Sequence, residues 1–294
     1  MKAFHLLEPK TLAEAVDCMK SSGPSAKFLA GGTDVIVGWQ SADLLGSENG
    51  APTFVSLKHL EDLNQVSYDP GKHLKVGALV THAMLAKDEI VNKYFSLLAA
   101  ACSQVGSPQI RNVATIGGNL CNASPAADSS VALLALDARV KLLGANGERE
   151  VPLEQFFTGP GNTVLHHGEI LTSIIIPDIS GCSGRYIKLG QRSSLEIAIV
   201  SAAVSLQLEK NFCCKARVAL GAVAPVPLRA TKTEEYLQNK ELTDAVIEEC
   251  ALLAVAESNP ISDSRASSSY RKEMVKELVK KALGQILLER RCGQ

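Results

Sequence analysis

Hydrophobic and polar positions change period several times along the chain, and each change predicts an element. Thr11 and Glu14 stand at capping-box spacing, and Leu12, Val16 and Met19 then fall on one helical stripe. Residues 21–25 break that helix. Residues 27–30 read as a short strand running straight into Gly31-Gly32-Thr33-Asp34. Strands are also expected over 53–57 and, after the Asp69-Pro70-Gly71 turn, over 73–80. Thr81 is placed to cap a helix, and a second helical segment covers about 94–104. Short strands mixed with helices give this half an α+β pattern.

From Gly106 the texture changes. A segment of strand character leads into Thr115-Ile116-Gly117-Gly118-Asn119, residues 122–128 are loop-like, and an apolar helix is expected through Leu136. Strands over 139–143 and 148–151 flank Asn146-Gly147, a good hairpin turn. The β-branched run 170–176 ends at Pro177, as a strand should. Gly181, Ser183 and Gly184 then interrupt the pattern, so a boundary is expected over 178–183. Segments 186–190, 197–208 and 216–223 suggest an antiparallel meander, followed by helices. In the last helix, Val275, Leu278, Val279, Ala282, Leu283, Ile286 and Leu287 form an apolar face, with Lys272, Lys276 and Lys280 on a solvated one.

Composition narrows the classes. The 294 residues are 46% hydrophobic and 21% charged, enough apolar side chain for a substantial core. With 30 Lys plus Arg against 31 Asp plus Glu, and 4% aromatic residues, neither a basic face nor a stacking platform for nucleic acid is indicated. The N-terminal stretch lacks the apolar run of a signal peptide. The apolar run at 131–136 is far short of the ~20 residues of a membrane span. A cytoplasmic protein with no membrane contact is expected. Cys18, Cys102, Cys121, Cys182, Cys213, Cys214, Cys250 and Cys292 include no CxxC pair, so they read as free thiols and no metal site is expected.

The candidate chemistry lies in the two Gly-Gly segments. Glycine lets backbone N–H groups approach a ligand, and successive N–H groups form a concavity suited to phosphate. Each segment alone also reads as a tight turn between strands. GxxxxGK[ST], a GxGxxG opening a helix, GxSxG and HExxH are all missing. The residues alone reach an α+β protein with two candidate phosphate loops, and no reaction.

An ordered set of motifs goes further. It comprises Lys27-Phe28-Leu29-Ala30-Gly31-Gly32-Thr33-Asp34, then Gln109-Ile110-Arg111-Asn112-Val113-Ala114-Thr115-Ile116-Gly117-Gly118-Asn119, then Ala123-Ser124-Pro125-Ala126-Ala127-Asp128. Gly168-Glu169-Ile170-Leu171, Lys188, Ile197-Ala198-Ile199-Val200 and Asp263-Ser264-Arg265-Ala266-Ser267 continue it. With these, nearly the whole chain resembles the FAD-binding subunits of molybdenum hydroxylases, the xanthine and carbon monoxide dehydrogenase group.

The resemblance implies an FAD-binding fold of the vanillyl-alcohol-oxidase (PCMH) type over residues 1–178, in subdomains of about 1–57 and 58–178. A C-terminal α/β domain like that of carbon monoxide dehydrogenase flavoproteins would cover 184–291, with an antiparallel sheet and helices. It also implies that Lys27 to Asp34 form the first FAD loop, backbone on pyrophosphate, and that Thr115, Ile116, Gly117, Gly118 and Asn119 form the second. Asp128, Leu171 and Lys188 match further FAD-contacting positions: an acceptor for hydroxyls, an apolar wall, and a charge offsetting reduced flavin. No residue is assigned as catalytic. The family's partners are a large molybdopterin-binding subunit and a small subunit with [2Fe–2S] clusters, in a heterotrimer or its dimer. FAD then passes a hydride to NAD. Xanthine or another purine is the expected substrate. Carbon monoxide, nicotinate or aldehyde dehydrogenase flavoproteins are the rivals within the family, and a cofactor-free scaffold the rival outside it.

Overall fold

A computed structural model describes residues 3–40, 51–192 and 195–292. The first lobe contains β1 (His5–Leu7), α1 (Leu12–Ser22), β2 (Lys27–Leu29), α2 (Val35–Gln40) and β3 (Thr53–Ser56). Its strands form a small parallel sheet in the order β1-β3-β2. The expected cap is present: Thr11 accepts from the Glu14 N–H at 3.2 Å, while the Glu14 carboxylate accepts from the Lys10 N–H at 2.7 Å. Helix α2 is held against β3 by Trp39, which meets Phe4 and Phe54 edge to face with ring centroids 5.3 and 6.0 Å away. That packing fixes the end of the helix opposite the first Gly-Gly segment.

The second lobe begins with β4 (Val66–Asp69) and β5 (His73–Gly77). Six short helices follow: α3 (His82–Lys87), α4 (Glu89–Tyr94), α5 (Ser96–Ser103), α6 (Pro108–Val113), α7 (Ile116–Asn122) and α8 (Asp128–Ala135). Then come β6 (Arg139–Gly144), β7 (Gly147–Pro152), β8 (Phe157–Gly159), β9 (Asn162–Thr163) and β10 (Ile170–Pro177). An antiparallel sheet, β4-β5-β10-β6-β7, backs the helices. The strand expected over 73–80 stops at Gly77. There the Gly77 N–H turns to the Gln65 carbonyl, and a Cβ would lie 2.2 Å from the Leu63 carbonyl oxygen.

The strand character read before Thr115 is corrected by the structure. Ser107 caps α6 through the Ile110 N–H at 3.1 Å, with Pro108 at its first position, and Thr115 caps α7. Both caps are serine or threonine, but the glycines that follow Thr115 disfavour a helix when read locally.

The C-terminal part contains β11 (Cys182–Leu189), β12 (Val200–Glu209), β13 (Phe212–Gly221) and β14 (Leu228–Arg229) in a consecutive antiparallel sheet, then α9 (Thr231–Leu237), α10 (Asp244–Glu257) and α11 (Ser268–Cys292). Strand β12 is buried on both faces. Ala203 and Ala219 join the core of the helices α5 and α8, whereas Ala202, Val204 and Leu206 join that of α10 and α11. This double burial explains why residues 200–206 do not alternate with polar ones. Polar groups stitch the same junction: Asp137 accepts from Arg217 at 2.6 Å, Lys215 at 2.9 Å and Arg229 at 3.0 Å. Burial raises the Asp137 carboxyl, but Arg217 and Lys215 outweigh it and hold the group at about 2. Among the described residues no helix is long and apolar enough to cross a membrane, and no cluster of three metal-ligating side chains occurs.

Candidate cofactor cleft

A cleft of about 410 Å³ opens where the two N-terminal lobes meet. It lies at the carboxyl ends of the parallel strands β2 and β3, bounded across by α7 and the start of β10. Of the residues expected to hold FAD, it gathers Lys27, Phe28, Ala30, Gly31, Gly32, Thr33, Asp34, Thr115, Gly117, Gly118, Asn119 and Leu171. Leu29, Ile116, Asp128 and Lys188 are not among its lining. The two Gly-Gly segments, 86 positions apart by number, thus face one space, and at Gly118 a Cβ would point to within 3.9 Å of Ala30 Cβ.

The segments do different work. Gly32 has φ +74° and sets Gly31, Gly32, Thr33 and Asp34 in a bend ahead of α2. Among the described residues no protein acceptor takes the N–H groups of these four. Such a run of open N–H groups is a ready anion nest. The second segment is not a phosphate loop of this kind, which corrects the expectation from sequence. Residues 116–119 form the first turn of α7, and every N–H there has a partner. Ile116 donates to the Val80 carbonyl at 2.9 Å and Gly117 to the Ala78 carbonyl at 2.9 Å. Gly118 donates to Thr115 Oγ1 at 3.1 Å and Asn119 to the Thr115 carbonyl at 3.0 Å. What this turn offers the cleft is a surface without side chains, together with the Thr115 and Asn119 side chains.

Two of the glycines serve close approach within the protein. A Cβ on Gly31 would lie 2.2 Å from the Val113 carbonyl oxygen, and one on Gly117 would lie 2.6 Å from Ala78 Cβ. Gly31 therefore lets the first lobe touch the α6–α7 junction, and Gly117 lets α7 touch the end of β5.

Asp128 and Lys188 lie behind the wall. Lys188 Nζ donates to Asp128 Oδ2 at 2.7 Å and to the Gln104 carbonyl at 3.0 Å, and the Tyr186 hydroxyl donates to Asp128 Oδ1. Both side chains are buried. Burial pushes the Asp128 carboxyl up, against the charge and hydrogen bond of Lys188 and the hydrogen bond of Tyr186. The Lys188 charge is thus compensated inside the protein rather than held open toward a ligand. The pair joins β11 to the start of α8, and Ser129, next along α8, lies 2.7 Å from the Asn119 carboxamide on the cleft wall.

Sequence reasoning missed several lining residues. Leu57, Ala78 and Leu79 enter from strand ends, Gly161 and Leu165 from the β8–β10 region, and Cys121 and Asn122 from the end of α7. The cue available was position: Leu57 and Ala78 follow directly on a strand, and Leu79 comes next. Glu169 also lines the cleft but is occupied. Arg149 donates to both of its oxygens at 2.8 and 2.7 Å, and the His166 N–H adds a third bond at 2.7 Å. The Arg149 hydrogen bond holds the Glu169 carboxyl below its ordinary value.

Two lobes closing on a run of open N–H groups, with a third α+β part attached, suit a protein that holds an anionic cofactor. Comparison with known proteins specifies which. Residues 2–179 match the FAD binding domain in molybdopterin dehydrogenase, and residues 185–286 match the CO dehydrogenase flavoprotein C-terminal domain. The chain is 31% identical over 277 residues to the xanthine dehydrogenase FAD-binding subunit of Escherichia coli O157:H7, covering 94% of this chain and 93% of that one. It is 33% identical to the nicotinate dehydrogenase FAD-subunit of Eubacterium barkeri, covering 100% of both. Its structure superposes on carbon monoxide dehydrogenase from Hydrogenophaga pseudoflava with a TM-score of 0.90 at 29% identity, covering 97% of each chain. The chain belongs to the FAD-binding subunits of the molybdenum hydroxylase family, and its cofactor is FAD.

Proposed function

We propose that this chain holds FAD in the cleft between its lobes and is the electron-transfer subunit of a cytoplasmic molybdopterin-dependent hydroxylase. Its partners are a large molybdopterin-binding subunit and a small [2Fe–2S] subunit, in a heterotrimer or its dimer. It takes electrons from the clusters and delivers a hydride to NAD, in the oxidation of xanthine or a related purine. The observation that carries the cleft assignment is the convergence of both Gly-Gly segments on one space, one of them with open N–H groups.

Bound FAD supplies the exchange of single electrons for a hydride. This chain's residues bind and orient. The N–H groups of Gly31 to Asp34 are suited to pyrophosphate oxygens, and Lys27 lines the same cleft. Thr33, Asp34 and Asn119 offer partners for hydroxyls. Leu57, Leu79, Ile170 and Leu171 give an apolar wall for a flat ring system. No lining group is assigned a proton transfer.

The purine assignment rests on the likeness to the Escherichia coli xanthine dehydrogenase subunit. The end-to-end match to the nicotinate dehydrogenase FAD-subunit favours a second reading, in which the same electron path serves a nicotinate, aldehyde or carbon monoxide dehydrogenase. An assay of the purified chain, alone and then with both partner subunits, tests the division of labour. Alone, it is expected to pass electrons from NADH to an artificial acceptor and to leave xanthine untouched. Xanthine-dependent NADH formation should appear on reconstitution. Turnover of xanthine by the chain alone overturns the proposal. Turnover of nicotinate in place of xanthine by the reconstituted complex selects the second reading.

A further inference from the structure

The side chains of the cleft do not by themselves suit an anion. Among the described residues that line it, the charged ones are Lys27, Asp34 and Glu169, which sum to a net −1. A pyrophosphate placed there adds further negative charge, and like charges repel across a low-dielectric wall.

Arg149 alters that sum from outside the cleft. It stands on β7 and is not a lining residue, yet both arms of its guanidinium reach Glu169. Nε donates to Oε1 at 2.8 Å and Nη2 to Oε2 at 2.7 Å, the planar fork that arginine forms with a carboxylate. With Arg149 included, the charged groups at the cleft sum to zero. The same guanidinium closes a turn. Nη2 also donates to the Val164 carbonyl at 2.7 Å. The Glu169 carboxylate accepts from the His166 N–H at 2.7 Å, and the Glu169 N–H donates to the His166 carbonyl at 3.0 Å. Residues 164–169 are thereby fastened to β7 at both ends.

That turn shapes the cleft. Leu165 and Glu169 line it, and Ile170 and Leu171, next along the chain, are its apolar wall. Ile170 begins β10 in the sheet of the second lobe but packs in the core of the first, with Ala15, Met19, Leu57 and Leu79. The turn therefore sits where one lobe closes on the other. We infer that Arg149 is a positioning residue for cofactor binding: it cancels the Glu169 charge beside the bound anion and fastens the 164–171 wall. Glu169 serves as the fastener of the turn, and Arg149 makes a carboxylate at that place compatible with the ligand. The ligand half of this rests on the cleft being the FAD site; the fork itself does not.

FAD affinity of the full-length flavin-free chain, followed by flavin fluorescence at low and high salt, separates charge from geometry. Arg149→Met leaves a carboxylate without its counter-charge in the cleft and is expected to weaken FAD binding about tenfold at low ionic strength. In 1 M salt, where the screening length is about 3 Å, the gap to wild type should shrink to about threefold or less. Arg149→Met combined with Glu169→Gln lacks the same fork but carries no carboxylate, and should recover most of the low-salt loss. A double variant as weak as Arg149→Met, with a deficit that salt does not change, marks a merely structural support and overturns the inference. Glu169→Gln alone keeps the test open if Arg149→Met does not fold. It leaves the Arg149 charge uncancelled and should bind FAD at least as tightly as wild type at low salt; weaker binding there overturns the inference. Wild-type affinity in Arg149→Met defeats this inference alone if Gly118→Val loses FAD, and defeats the cleft assignment as well if Gly118→Val keeps it.

Discussion

Gly118→Val should yield a folded chain that no longer retains FAD, whereas Gly117→Ala, its neighbour, should lose stability instead. The two glycines differ in what a side chain would meet. At Gly118 the nearest atoms to a Cβ are Thr115 Oγ1 at 2.8 Å and Ala30 Cβ at 3.9 Å. The Thr115 hydroxyl can rotate away at the loss of one cap bond, about 1 kcal/mol, and the rest of the valine enters the cleft. At Gly117 a Cβ lies 2.6 Å from Ala78 Cβ and 2.7 Å from the Ala78 carbonyl oxygen, which is backbone. That clash also pulls on the Gly117 N–H bond to the same carbonyl, so a loss of about 3 kcal/mol is expected. Comparing flavin-free proteins removes the stabilisation that FAD itself confers. Thermal unfolding of the apoproteins and flavin content after purification check both halves. Full flavin occupancy in Gly118→Val, or a Gly117→Ala chain as stable as wild type, would count against the account.

Lys188→Met is expected to cost about 3 kcal/mol at neutral pH, because it leaves the buried Asp128 carboxylate without its counter-charge. The deficit should depend on pH in a stated sense. The folded Asp128 carboxyl lies above its ordinary value, so its contribution is full below the ordinary carboxylate range and is lost as pH rises. Removing Lys188 raises it further. The variant should therefore be nearest to wild type in acid and furthest from it at neutral pH. The double variant Asp128→Asn with Lys188→Met should recover most of the loss, since neither charge is then buried. Urea unfolding of the four proteins across that pH range measures the cycle; a double variant no better than Lys188→Met alone would show that packing, not charge, dominates.

Local pattern carried much of the fold. The capped helix at Thr11, the hairpin near Asn146, and the three long C-terminal strands all follow from rules that act within a few residues. The site was legible where it, too, is local: Gly32 needs a positive φ, and Gly31-Gly32 marks the nest. Thr115-Ile116-Gly117-Gly118-Asn119 was misread because its helix is started by remote groups. The carbonyls of Ala78 and Val80 take its first N–H groups, and neither is visible from the segment itself. The same holds for Asp128 with Lys188 and for Arg149 with Glu169, which meet across 60 and 20 positions. Family resemblance pointed to the first pair without its geometry. Nothing in the sequence pointed to Arg149.

The central claim is that this chain is a flavoprotein whose FAD sits in the cleft between its lobes, held without a covalent bond. Flavin absorbance of the purified chain, followed by denaturation and separation of the supernatant, tests it most directly. The account predicts one FAD per chain, all of it released into solution, and its loss in Gly118→Val. A chain that purifies without flavin and takes up none from excess FAD, or one whose flavin stays with the precipitate, would contradict it.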